Sequence, residues 1–452
     1  MHIYITLLLS FCSLLHAHTN KLPIQAHIQI GEIYREHNHF DQAITHYQQA
    51  YDQNTRDMAV LIKLANMYNM VNEHEKALEL YQEALRLNPR SVGMTYNAGY
   101  SLRHLDRHDE AITMYEKAIA LNPNYGKAHF SLGLSLLQAG EFERGWQEHE
   151  WRWAAYDEKP PHQDKPTWDG SDPKGKTILI ICEQGLGDTF QFIRYAKLLK
   201  EQGATVFVHA QQPLKTILQQ CPYIDRVLVN GDVLPPFDYH IATMSMPLVY
   251  KTRVDNVPTP IPYLYADPTL CTHWQQELAQ DKNFKIGLCW HGNPNYSTQA
   301  LREAVKSKSF HVQTYAPLAE IPGISLYSLQ KVGGEDQLQE LNKKINIKNF
   351  TGDFDASHGR FMDTAAVIKQ LDLVISIDTS IAHFAAALGT PTWILLPHPA
   401  DWRWLYNRTD TPWYPNARLF KQTKQGSWND VLTLVKQELQ KLVHKKSKRV
   451  QV

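Results

Sequence analysis

The chain has 452 residues, too many for one ordinary hydrophobic core, so two or three domains are expected. Its 46 Lys and Arg cancel its 46 Asp and Glu, and no global field points to nucleic acid or to an anionic membrane. The five cysteines (Cys12, Cys182, Cys221, Cys271, Cys289) contain no C-x-x-C pair and the 22 histidines no H-E-x-x-H pattern, which argues against a disulfide framework or structural zinc and suits a reducing, cytoplasmic compartment.

Residues 1–23 are apolar. Ile3–Ala17 has the length of a signal-peptide core and is too short for a comfortable membrane span. No Lys or Arg precedes it, and Leu15 stands where a small residue would favour cleavage. It reads as a helix capping the repeats next to it, with export or membrane association through residues 3–17 as the alternative.

From residue 24 a 34-residue period sets in: Gly31, Ala65, Gly99 and Gly133; Ala43, Ala77 and Ala111; Tyr47, Tyr81 and Tyr115; Ala50, Ala84 and Ala118. Small residues let two helices approach closely, the tyrosine fills the gap beside them, and Pro89 and Pro123 end the second helices. The polar "EHNH", Glu36–His39, then falls in a hairpin turn. These columns resemble the tetratricopeptide repeat over residues 24–150, with a fourth unit degenerating at Gly145 and Trp146. The resemblance implies an α-solenoid whose concave surface binds a protein or peptide, or one that braces its neighbour.

Residues 151–174 form a linker, where Pro160, Pro161, Pro166 and Pro173 forbid regular helix and Trp151, Trp153 and Trp168 can pin the chain. Beyond it, short apolar strands alternate with helices. "TILIIC", "TVFVHA", "RVLVN" and "DYHIA" belong to residues 175–270, with one helix, "TFQFIRYAKLLKEQG", after the first strand. "KIGLCW", "SLYSL", "INIKN", "DLVISI" and "TWILLP" belong to residues 271–440. This pattern predicts two parallel, doubly wound, Rossmann-like α/β domains with a ligand cleft at the strand ends. Residues 441–452 read as a basic, solvated tail.

Three loops carry chemistry. Gly185 and Gly187 permit a tight turn before Asp188, which sits at a helix start as a cap or a catalytic carboxylate. The long polar stretch from Trp290 to Phe310 holds Asn293, Arg302, Lys306 and Lys308, a solvated surface or a set of charges for a diphosphate. "LQKVGGEDQL" repeats the layout of a strand end, Gln330, Lys331, paired glycines and a helix. In "ISIDTSIAHFAAALGTP", Asp378, Thr379, Ser380 and His383 stand where a strand turns into a helix. Unpaired N–H groups there suit a phosphate, while Asp, Thr and Ser also serve as ordinary caps. Asp378 is expected to face hydroxyl groups rather than phosphates. The D-x-D at Asp353–Asp355 lies apart from these loops and reads as a solvated turn.

"EQGLGDTFQFIRY", "CWHGNPNY", "LYSLQK", "DTAAVIKQLDLVISIDTSIAHFAAALGTPTW" and "DWRWLYNRTDTPWYPNARLF" together resemble the family 9 glycosyltransferases, heptosyltransferase-like enzymes of the GT-B fold. More closely, the chain is similar to bacterial proteins that join tetratricopeptide repeats to such a domain. The resemblance implies a metal-independent, inverting transferase with Asp188 as general base. Gly187, Asn293, Gln330, Lys331, Asp378, Thr379, Ser380 and His383 would bind a nucleotide-sugar donor, and Arg302 and Lys308 its phosphates. No cofactor is implied, and the acceptor is a protein, peptide or glycan presented by the repeats. Ser380 replaces the family's usual glycine, and the family's lysine loop has no clear counterpart in "LREAVKSKSF", which leaves the sugar open. A non-enzymatic scaffold and a sugar-nucleotide epimerase are the rival readings.

Overall fold

The structure is a computed structural model and describes residues 22–162, 164–341 and 345–450. The apolar run Ile3–Ala17, with Cys12, lies outside the described residues. Among the described residues no helix is long and apolar enough to cross a membrane. The chain divides into two compact units, one reaching Leu137 and including Gln147–Lys159, the other made of Gln138–Trp146 and Pro160–Val452.

The first unit is built of helical hairpins: Ile24–Glu36 with Phe40–Gln53, Met58–Met70 with His74–Leu87, and Val92–His104 with His108–Leu121. The 34-residue columns explain the packing. A Cβ at Gly31 would lie 2.6 Å from the Tyr47 ring, and one at Gly99 2.8 Å from the Tyr115 ring. Tyr47, Tyr81 and Tyr115 are fully buried against these small residues. A further column is visible only in the backbone: Asn38, Asn72, Asp106 and Gly140, again 34 apart, all have positive φ. Asn, Asp and Gly are the residues that tolerate a left-handed turn, so each hairpin turns on the residue type that strains it least. Side chains of Asp57 and Ser91 cap the helices that they precede.

The boundary between units falls inside the fourth hairpin, Gly126–Ala139 with Phe142–His149, rather than at residue 150. In the helix Phe142–His149, Trp146 belongs to the second unit, where its ring meets Trp402 at 5.5 Å and Phe192 at 6.3 Å. A tryptophan buried in that cluster accounts for the decay of the repeat pattern there. At the end of the linker, Trp168 is buried, and Thr167 bridges to His240 as an extension of the first sheet.

In the second unit, β1 (Thr177–Ile181), β2 (Thr205–His209), β3 (Arg226–Leu228) and β4 (Tyr239–Ala242) form a parallel sheet in the order β3-β2-β1-β4. A second parallel sheet contains β5 (Phe284–Cys289), β6 (Ile324–Ser328), β7 (Ile347–Lys348), β8 (Leu373–Ile377), β9 (Thr392–Leu396) and β10 (Ala417–Lys421), ordered β10-β9-β8-β5-β6-β7. That is the doubly wound arrangement of dinucleotide-binding sheets. Its core joins Ile286, Leu288, Ile375, Ile377 and Leu395 to Val431, Val435 and Leu439 of the last helix.

Local predictions fail where side chains intervene. The helix expected after β1 is two helices, Leu186–Phe192 and Arg194–Glu201. Arg194 is fully buried, and its guanidinium donates to the carbonyls of Gln191, Pro258 and Trp413 and to the Tyr263 hydroxyl. By occupying the Gln191 carbonyl it interrupts the helical ladder. The polar stretch after β5 is not all loop: Thr298 caps a helix, Gln299–Lys308. After β6 the paired glycines lead into a 3₁₀ turn, Asp336–Leu338, rather than an α-helix. The basic tail continues the helix Trp428–Val450, and Lys446 binds Asp372.

Candidate functional site

All strands of both sheets are parallel to their neighbours, so the loops leaving their carboxyl ends gather at one edge of each sheet. Loops after β1, β5, β6, β7, β8 and β9 line one cleft of about 270 Å³. In the second sheet the cleft opens over the ends of β5 and β8, where the strand order reverses and ligands of such sheets bind.

Gly187, Asp188, Asn293, Lys308, Gln330, Lys331, Asp378, Thr379, Ser380 and His383 all line this cleft. Arg302 does not. Its guanidinium donates to the carbonyls of Tyr296 and Ser297, which turns it back onto its own loop. Asp355, expected in a solvated turn, also lines the cleft; its carboxylate accepts from the backbone N–H and hydroxyl of Thr364.

The two halves of the cleft meet where the helix Leu186–Phe192 faces the helix Ser380–Ala387. Phe190 stacks on Phe384 with centroids 4.6 Å apart. A Cβ at Gly187 would lie 2.9 Å from His383 Cδ2 and 3.5 Å from Ser380 Cα, so this approach requires glycine.

Asp188 is held on both sides. Oδ2 accepts the Gly185 N–H at 2.9 Å, as a helix-capping carboxylate does, and Oδ1 accepts from Arg403 Nη2. Arg403 is itself buried, donating Nη1 to Asp401 at 2.7 Å and Nε to Gln191 at 2.8 Å. Burial penalises its charge, but Asp401, Asp188 and Asp378 together hold the guanidinium protonated well beyond its ordinary range. Burial pushes the Asp401 carboxyl up, aided by Asp378 and Asp188 and opposed by Arg403. Reading the sequence missed both Asp401 and Arg403. Their signal was the run "DWRW" directly after β9, a strand-end loop like the others.

Asp378 is buried beneath this cluster with Oδ1 3.7 Å from His383 Nε2. Burial raises its pKa, yet His383, Lys308 and Arg403 outweigh that and hold it below the ordinary carboxylate range. His383 is pulled below its ordinary value, first by burial and then by Arg403, against Asp378 and Asp188, so it stands neutral at pH 7. Its Nδ1 pairs with the Tyr414 hydroxyl at 2.9 Å, and its ring stacks on Trp404. These contacts make His383 a wedge between the halves that orients Asp378 more than a free hand toward a ligand.

Thr379 is the N-cap of the helix Ser380–Ala387 but gives it no side-chain hydrogen bond. Its hydroxyl turns down to Ser376 Oγ at 3.2 Å and Cys289 Sγ at 3.6 Å. The first N–H groups of that helix therefore have no side-chain cap and carry the partial positive charge of a helix start. Gln330 is not free either. Its Oε1 accepts from the N–H groups of Trp290 and His291 at 3.1 Å, and its Nε2 donates to the carbonyls of His291 and Val332. It ties the loops after β5 and β6 together and shapes the floor. Lys331 donates to the Phe354 carbonyl, and Asn293 closes a local turn on the Asn295 N–H.

The family profiles that match this chain fall in its repeats. A tetratricopeptide-repeat profile matches residues 99–140, and that of anaphase-promoting complex, cyclosome, subunit 3 matches residues 36–118. Protein FlbA of Caulobacter vibrioides is 25% identical over 332 residues, covering 67% of this chain and 53% of FlbA. The chain thus spans about half the length of the curated relative it matches. Among solved structures, MamA is 25% identical with a TM-score of 0.28, covering 30% of this chain and 73% of MamA. MamA from Desulfovibrio magneticus is 14% identical with a TM-score of 0.29, covering 31% and 80%.

Proposed function

We propose that the second unit is a GT-B glycosyltransferase similar to family 9, moving a sugar from a nucleotide-sugar donor to an acceptor hydroxyl. The observation that carries this reading is the meeting, in one cleft, of the Gly187–Asp188 turn with the uncapped helix start at Thr379–Ser380.

The donor diphosphate lies against the N–H groups of the Ser380 helix, with Lys308 and Lys331 alongside. Asp378, kept ionised, accepts from sugar or ribose hydroxyls. Asp188 takes the acceptor hydroxyl's proton as its oxygen attacks the anomeric carbon, and the nucleoside diphosphate leaves with inversion. Each Asp188 oxygen keeps a lone pair for that proton beyond its bonds to Arg403 and Gly185. Arg403 acts as a positioning residue, fixing the carboxylate's direction. No metal is needed, since helix and lysines compensate the departing charge. The repeats present a protein, peptide or glycan acceptor, or a partner.

One observation favours a second reading. Both Asp188 oxygens already accept hydrogen bonds, as in a structural carboxylate, which fits a scaffold that binds a nucleotide sugar without turning it over. A panel of nucleotide sugars in a thermal-unfolding assay tests binding first. A true donor at ~100 times its Kd stabilises the native state by roughly 2.7 kcal/mol. Product mass with that donor then separates transfer from mere binding, and the NMR spectrum of the recovered donor detects epimerisation, which leaves the mass unchanged.

A further inference from the structure

The cleft holds a cation that neither the motifs nor the proposed chemistry uses. Arg360 is exposed, lines the cleft, and makes no ion pair or side-chain hydrogen bond among the described residues; its guanidinium lies 5.9 Å from the centre of the Phe361 ring. Of the cleft's other arginines and lysines, Arg403 is bound by Asp188 and Asp401, Lys331 is bound to a carbonyl, and Lys308 is already assigned to the phosphates.

The segment carrying Arg360 is braced at several points. The Asp355 N–H donates to Asp363 Oδ2 at 3.0 Å, Thr364 returns an N–H to Asp355 Oδ1 at 3.0 Å, and His358 Nδ1 lies 3.1 Å from Asp363 Oδ2. Phe361 has a φ of +70°, a conformation that strains a bulky residue. It is held there by burial against Phe190 and Phe384, at 5.2 and 5.4 Å, which are the rings of the two helices that meet at the cleft. Gly359, at φ +97°, lies so close to Thr216 that a Cβ would come within 2.8 Å of its hydroxyl. Strain and bracing on both sides of one unpaired arginine fix where that arginine enters the cleft.

We infer that Arg360 is an anion-binding residue for the pyrophosphate group of the nucleotide, gripping it from the loop before the helix Met362–Ile368 while the Ser380 helix and Lys308 hold it from below. This rests on the proposed nucleotide-sugar reading of the cleft. A guanidinium offers two parallel donors to a phosphate, which a lysine cannot match.

The test is equilibrium binding of ADP, GDP, UDP and dTDP, of the corresponding nucleosides, and of inorganic pyrophosphate, to wild type, Arg360→Ala and Arg360→Lys. Arg360→Ala should weaken the diphosphate that wild type binds by about 10- to 100-fold, leave its nucleoside unaffected, and melt as wild type does. Arg360→Lys should recover part of the loss. Equal diphosphate affinity in wild type and Arg360→Ala overturns the inference and leaves the cleft reading standing. Equal losses for nucleoside and diphosphate assign Arg360 to loop structure and also overturn it. Failure of wild type to bind any of the diphosphates overturns the cleft reading and the inference with it.

Discussion

The four-stranded sheet sends to the cleft the turn Gly185–Asp188, whereas the six-stranded sheet sends loops from β5, β6, β7, β8 and β9. The first contribution is a carboxylate pinned by a backbone N–H and by an arginine of the opposite half. The second is a set of lysines, an uncapped helix start and a buried carboxylate. On the proposed reading this difference is a division of labour, in which the second half holds the anionic donor and the first delivers the group that acts on the acceptor. Under the same reading, the close approach of Gly187 to His383 brings the acid within reach of what the other half binds.

The largest effect that tests this division is on turnover. Asp188→Asn should lower sugar transfer by about 10²–10⁴-fold, the usual contribution of a positioned base, while nucleotide affinity changes little. Transfer at near wild-type rate would remove Asp188 as the base. Because the amide would set an NH₂ group against either Arg403 or the Gly185 N–H, the variant's melting is measured alongside.

Lys308→Ala, on the other half, should do the reverse. Loss of a charge-assisted contact weakens nucleoside diphosphate binding by roughly 1.5–3 kcal/mol. A variant with unchanged affinity and reduced turnover would move Lys308 to the acceptor side and break the comparison.

Gly187→Ala probes the seam itself. The new methyl would meet the His383 ring, which Tyr414 and Trp404 hold in place, and overpacking of this kind costs about 1–3 kcal/mol. Chemical denaturation measures it; a neutral substitution would mean that the halves part easily at this point.

The smallest effect is a pH dependence from the second half. The folded-state pKa of His383 lies below its unfolded value near 6.5, so the unfolded chain takes up a proton first as the solution is acidified. The stability from neutral His383 is therefore complete above about pH 6.5 and declines as pH falls from there toward the depressed value. His383→Gln should flatten the fall in Tm between pH 7.5 and 5.5 relative to wild type. An unchanged slope would show that His383 titrates normally.

Legibility differed between regions for physical reasons. In the repeats, a period of 34 writes each contact several times, so Tyr47, Tyr81 and Tyr115 could be placed from spacing alone. The left-handed column Asn38, Asn72, Asp106 and Gly140 has the same period but changes residue type, and was overlooked for that reason. In the sheets, β1 to β9 stood out as apolar runs bounded by turn residues, while β10, "ARLFK", is too charged to show. At the cleft, strand-end loops announced Asp188, Asp378 and Lys331. What local pattern could not convey was partnership across 215 positions of chain, as between Asp188 and Arg403, or the burial of Gln330 beneath its own loops. Arg302 and Lys308 look alike in sequence; six residues of helix, about one and two-thirds turns, send Lys308 to the cleft and leave Arg302 on its own loop.

The positions of two phosphorus atoms test the division most directly. A crystal structure of the protein with the nucleoside diphosphate that stabilises it should place both phosphates at the N-terminus of the helix Ser380–Ala387, beside Lys308, with the open side of the terminal phosphate toward Asp188. Phosphates seated against the first sheet, or away from the Thr379–Ser380 turn, would contradict the account.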